Sequence, residues 1–134
     1  MSFIGLSFHA KAQETMKGIQ AYQWKHRLIL LFSPSSDYQP LIEQQQRLNR
    51  DTTALIERDL LVFGILSDTE HDREAKSSSG LRQQFGVAAN SFAIILIGKD
   101  GGEKLRRHAP IATEELFALI DAMPMRRQEI RSQH

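Results

Sequence analysis

The chain contains no cysteine. Disulfides, zinc–thiolate sites, a cysteine nucleophile and dithiol exchange are therefore excluded, and so is any redox clue to the compartment. Long apolar runs are missing as well: none approaches the roughly 18 residues that a membrane-spanning helix needs. Net charge is almost absent, with 17 Lys and Arg against 16 Asp and Glu. A balance of +1 provides no electrostatic basis for DNA, RNA or an anionic membrane as the main partner. There is no Gly-x-Ser-x-Gly elbow and no Gly-x-x-x-x-Gly-Lys-Ser/Thr phosphate loop. The histidines His9, His26, His71, His108 and His134 form no His-x-x-x-His or His-x-His pair on one element, so neither a metal site nor a cofactor is expected.

What is present suits one globular domain. A chain of 134 residues with 41% hydrophobic content can bury about two-thirds of its unfolded surface around a single core. Residues 1–21 are read as an N-terminal arm or the remnant of a signal peptide. Ala10-Lys11-Ala12 has the small-x-small form of a signal-peptidase site, whereas the missing basic leader and short apolar part fit a frayed arm. Residues 22–124 are read as the domain, and residues 125–134 as a basic C-terminal tail.

Three short apolar runs have the length and β-branched content of buried strands: His26–Ser33, Asp59–Leu66 and Ser91–Gly98. Between the first two, Leu41, Ile42, Gln45 and Leu48 recur at helical spacing, with Ser36 or Asp37 as the expected N-cap. Residues 51–57 continue that helix or begin another. Residues 67–79 read as a polar loop, and Leu81–Phe85 as a short helix stopped by Gly86. Lys99-Asp-Gly-Gly102 supplies the positive φ values of a hairpin turn, leading into a polar edge strand, Glu103–His108. Thr113 is expected to cap a final amphipathic helix that Pro124 ends. The order β-α-β-α-β-β-α, with a mixed central sheet flanked by helices, is that of an α/β, thioredoxin-like fold.

Particular stretches sharpen this reading. Leu28-Ile-Leu-Leu-Phe-Ser, Arg58-Asp-Leu-Leu-Val-Phe and Leu81-Arg-Gln-Gln-Phe-Gly-Val carry part of it. The more specific pieces are the Gly98-Lys-Asp-Gly-Gly102 turn and the Asp121-Ala-Met-Pro-Met-Arg126 ending. Together they resemble a thioredoxin-like, peroxiredoxin-related domain of unknown function. It is the domain found in sushi-repeat-containing secreted proteins and in a coiled-coil-domain extracellular-matrix protein, with single-domain bacterial members. The resemblance spans roughly residues 22–131. It implies the thioredoxin fold and a secreted or periplasmic setting, with a cytoplasmic one as the alternative. It implies no settled activity, so no catalytic residue is carried over.

In such a fold the redox cysteines sit where the first strand meets its helix, because the helix N-terminus stabilises a thiolate. This chain has Ser33-Pro34-Ser35-Ser36-Asp37 there, and Val87-Ala-Ala-Asn-Ser91, without proline, where thioredoxins place a facing cis-proline. Cysteine-dependent redox activity is excluded. Asp37 would repel a second anion at that helix start, which leaves a plain cap and turn. Asp68-Thr-Glu-His-Asp72 has calcium-loop spacing, but Arg73 replaces the required glycine, so a solvated charged loop is the better reading. Trp24 and Phe32 are expected as core or boundary packing.

The remaining binding candidates are Lys99, Lys104 and Arg106 on the hairpin, and Ser33, Ser35, Ser36 and Asp37 at the corner. The expectation is a non-catalytic binding module for a protein or an acidic polymer, monomeric or weakly dimeric through the Glu103–His108 strand. The alternative is an enzyme or small-ligand binder, using the corner serines with His26 or His71. That alternative requires these groups to meet in one pocket.

Overall fold

The computed structural model describes residues 19–67 and 80–133. After a 3-10 turn at Ile19–Tyr22, the elements are β1 (Arg27–Ser33), α1 (Gln39–Asn49), α2 (Thr52–Glu57) and β2 (Leu60–Leu66). A short helix α3 follows over residues 80–85. Then come β3 (Ala93–Ile97), β4 (Glu103–Arg107), α4 (Thr113–Asp121) and α5 (Pro124–Ser132). The strands form one mixed sheet in the order β2-β1-β3-β4. β1 runs parallel to β2, with Leu30 beside Phe63, and antiparallel to β3, with Leu30 beside Ile95.

Every residue of β1 and β3 is buried. Their sequences read as unbroken apolar runs because alternate side chains enter different cores. Ile29, Leu31, Ile94 and Leu96 pack with Leu41 and Leu48 of α1, Leu55 of α2, and Leu116 and Ile120 of α4. Leu28, Leu30, Phe32, Ile95 and Ile97 pack on the other face, against Leu81 and Phe85 of α3 and Ile19 and Tyr22 of the first turn. This is the thioredoxin-like α/β architecture.

Several local expectations are corrected. α1 begins at Gln39 with Tyr38 in the N-cap position and no side-chain cap; Pro40 in the first turn gives up a donor that would be unpaired anyway. Asp37 instead accepts the Ser35 hydroxyl at 2.6 Å. Thr113 is the first residue of α4, not its cap, and its hydroxyl donates to Asp51 just before α2 at 3.1 Å. Residues 51–57 form their own helix. On α1 the polar Gln44 turns inward with no exposure, while Ile42 is only half-buried.

Two larger departures lie at one end of the sheet. Trp24 is 61% exposed and left-handed at φ 72°, because its N–H turns inward to the Lys99 carbonyl. The expected basic tail is the helix α5, which Pro124 starts rather than precludes.

Candidate functional site

The β1–α1 corner closes on itself. Ser33 is fully buried, and its hydroxyl donates to the Ser35 carbonyl at 2.8 Å. The Ser33 carbonyl accepts the Ser67 N–H at 3.1 Å and Arg82 Nη2 at 2.7 Å. Arg82 reaches from α3 to bond Ala88 O at 2.6 Å and Ile65 O at 3.3 Å, its guanidinium 5.5 Å from the Phe32 ring centre. It thus ties the end of β1 to the segment that leads into β3. Burial lowers its pKa, and no carboxylate among the described residues accompanies it. Ser36 and Asp37 face solvent. No peptide bond among the described residues is cis.

His26 precedes β1 and Ser33 ends it. Seven strand residues at roughly 3.3 Å each put the two about 20 Å apart. The structure therefore does not bring His26 to the corner serines, and His71 lies outside the described residues. The His26 arm of the enzyme alternative thereby loses the convergence it required.

The hairpin residues divide. Gly98 and Gly101 close the turn, with Gly101 at φ 86°, and Asp100 Oδ1 accepts the Gly102 N–H at 2.9 Å. Lys104 and Arg106 lie on β4, an edge strand beyond which no strand pairs among the described residues. Each is held within the hairpin: Lys104 by Asp100 at 2.8 Å, Arg106 by both oxygens of Glu103 at 2.8 and 2.9 Å. The Lys104 hydrogen bond, then the Gly102 N–H, hold the Asp100 carboxyl below its ordinary range. The Arg106 hydrogen bond does the same for Glu103, and raises Arg106 in return. A shallow groove of about 470 Å3 runs between β4 and α4, lined by Leu105, Leu119, Arg106, Arg107 and Glu115.

Lys99 does not share that surface. It is only 9% exposed and bridges Asp59 Oδ2 at 2.8 Å and Glu129 Oε2 at 2.7 Å. Sequence reasoning missed the cluster around it. Glu129 also accepts both terminal nitrogens of Arg27 at 3.2 Å. Nearby, Asp121 accepts Arg58 at 2.8 and 3.1 Å and Arg126 at 3.1 Å, with Arg58 stacked 4.3 Å over the Phe117 ring. Burial works to raise the Glu129 and Asp121 carboxyls, but the bonds from these cations outweigh it and hold both low. The signal was present: Arg27, Arg58-Asp59 and Lys99 each abut a strand. Parallel β1 and β2 start, and antiparallel β3 ends, at the same end of the sheet. Reading the last ten residues as a tail hid the helix that carries Glu129.

The fold and its closed, cysteine-free corner define a thioredoxin-fold domain without the redox centre. The chain belongs to the family described as Domain of unknown function (DUF4174), whose model matches residues 19–129. Among curated proteins it is similar to coiled-coil domain-containing protein 80 of Danio rerio, 25% identical over 136 aligned positions covering 86% of this chain and 16% of that protein. It is also similar to sushi repeat-containing protein SRPX2 of Xenopus laevis, 26% identical over 114 positions covering 79% and 25%. The chain thus spans a quarter or less of these relatives' lengths. Among solved structures it resembles the reduced Plasmodium vivax 2-Cys peroxiredoxin, with TM-score 0.64, 14% identity, and 82% and 84% of the two chains covered. Yeast mitochondrial 1-Cys peroxiredoxin gives TM-score 0.60 at 16% identity, with 90% and 99% covered. At these identities the structural likeness speaks for the fold alone.

Proposed function

We propose that this domain is a non-catalytic thioredoxin-fold binding module that takes an acidic, extended segment of a partner protein along β4. The observation that carries this reading is the β4–α4 groove. An edge strand offers unpaired N–H and C=O groups at alternate residues. Here they lie beside an apolar floor of Leu105 and Leu119, walled by Lys104, Arg106 and Arg107 together with Glu103 and Glu115. The closed corner supports the same reading, since Ser33, Ser35 and Arg82 there are already engaged within the fold. A second copy is the competing occupant. Antiparallel pairing centred on Leu105 would set Glu103 opposite Arg107 twice, but also Lys104 opposite Arg106 twice, with no net electrostatic gain. An acidic strand would face three cations of β4, Lys104, Arg106 and Arg107, against Glu103 alone. It would compete with the pairs that Arg106 and Arg107 make with Glu103 and Glu115 at 2.8 and 3.3 Å.

The test is affinity capture from native extract with wild type and with a Lys104→Glu/Arg106→Glu variant, followed by amide-shift mapping of whatever binds. A saturable acidic partner that perturbs β4 amides and is lost with the variant is the expected result. Capture unaffected by the charge reversal, or shifts confined to the β1–α1 corner, would refute the assignment.

We also infer an exported setting, secreted or periplasmic. Its support is the family resemblance and the small-x-small Ala10-Lys11-Ala12 ending. Cell fractionation of the native protein tests this, and recovery in the cytosol alone would overturn it.

A further inference from the structure

We infer that Arg27 and Lys99 form an oxyanion-binding pocket at the start of β1, and that Glu129 of α5 is its internal, displaceable occupant. The pocket is separate from the β4 groove and does not depend on the binding role assigned there.

Two cations are buried side by side, Arg27 with no exposure and Lys99 with 9%. Both converge on one carboxylate, Arg27 through Nη1 and Nη2 at 3.2 Å and Lys99 at 2.7 Å. A planar fork beside an ammonium is the donor set that recognises a carboxylate or a phosphate. Donors also exceed what Glu129 takes: Arg27 Nε is buried and finds no acceptor among the described residues. An anion that replaces Glu129 can use it by binding across Nε and the neighbouring Nη in place of the two Nη atoms.

The helix that brings Glu129 is held mainly by charge. Only Arg126 of α5 is buried, bonded to Asp121 and to the Glu57 carbonyl at 3.1 Å each, and Met125 stays 37% exposed. Ionic docking lets one oxyanion replace another, whereas an apolar face would have to be re-exposed to water. The backbone beside the pocket is strained on both sides. Trp24 at φ 72° donates its N–H to the Lys99 carbonyl, and Asp59 at φ 52° accepts the Lys99 ammonium. Such strain concentrates where ligands are held.

The experiment compares the full chain with Glu129→Ala and Glu129→Ala/Lys99→Met in phosphate, formate and chloride at matched ionic strength. We expect saturable thermal stabilisation of Glu129→Ala by phosphate or formate over chloride, abolished in the double variant; the formate and phosphate arms separate a carboxylate from a phosphate ligand. In wild type, the effective anion should raise hydrogen exchange across residues 124–132 while β1 stays protected. Indifference of Glu129→Ala to anion identity overturns the pocket. Rescue without faster exchange in wild type overturns its displaceability. If Glu129→Ala does not fold, the wild-type exchange decides alone, and no anion-specific rise rejects the proposal.

Discussion

Gln44 of α1 and Ile111 exchange two hydrogen bonds: the side-chain amide donates to the Ile111 carbonyl at 3.2 Å and accepts the Ile111 N–H at 2.8 Å. A helix side chain thereby serves the approach to α4 as a neighbouring strand would, in a place water does not reach. Replacing it with leucine keeps the volume but strands two buried backbone groups. Gln44→Leu should cost roughly 2–6 kcal/mol, at about 1–3 kcal/mol per unsatisfied group. Urea unfolding of this variant beside Gln46→Leu on the exposed side of α1 measures it. Equal midpoints would show the pairing to be unimportant.

Arg82 makes three bonds to carbonyls and meets no carboxylate among the described residues, so it acts as a clamp rather than as half of an ion pair. Arg82→Met should destabilise by roughly 1–3 kcal/mol as those carbonyls lose donors. Hydrogen exchange should accelerate first at residues 87–91, which the clamp ties to β1. A uniform rise across the whole sheet would argue against a local clamp.

Lys99 and Lys104 sit five residues apart on one hairpin and differ in burial. Lys99→Met leaves Asp59 and Glu129 without their shared ammonium. Because both carboxylates are partly exposed, the cost is discounted to about 1–3 kcal/mol. Lys104→Met removes an exposed pair with Asp100 and should cost less than about 1 kcal/mol. Chemical denaturation at low and high salt checks the ranking; a reversed order would contradict the burial of Lys99. Surface-charge variants aimed at a partner should accordingly spare Lys99.

Acid should unfold the protein partly through Glu129 and Asp121. The folded state holds both carboxyls below their unfolded values, despite burial, through bonds from Arg27, Lys99, Arg58 and Arg126. Their contribution is complete above about pH 4.5, the ordinary carboxylate range, and is lost as pH falls through the lower folded-state values. Glu129→Gln should therefore lower stability at neutral pH and flatten the decline below that range. A decline as steep as in wild type would assign acid sensitivity elsewhere.

Trp24 carries its left-handed backbone at a cost of about 1–2 kcal/mol for a residue with a Cβ, and its ring is mostly in water. Trp24→Gly removes that strain at the expense of a looser unfolded chain, so stability should change by less than about 1 kcal/mol. A larger loss in thermal unfolding would mean the exposed ring packs on something that stabilises the fold.

The element order was legible because both faces of β1 and β3 are covered, which turns strands into apolar runs that local reading detects. Asp-Gly-Gly marked the hairpin for the same local reason, through the φ that Gly101 adopts. Capping was misread at Asp37 and Thr113. Both have the right residue type, but their oxygens found nearer partners in Ser35 and Asp51. Trp24 was expected as core or boundary packing, whereas the turn at residues 22–26 points its N–H inward and leaves its ring 61% exposed.

By itself, then, the sequence determined a thioredoxin-like sheet with no cysteine chemistry at its corner, since strand periods, turn residues and the absence of a thiol are local properties of the chain. Only the tertiary structure decided that Lys99 is buried, that the last ten residues include a docked helix, and that Arg27 meets Glu129 across 102 positions. Such pairings follow from which strand termini share one end of the sheet. Parallel β1 and β2 and antiparallel β3 bring their charged flanks together there, and no spacing along the chain encodes that meeting.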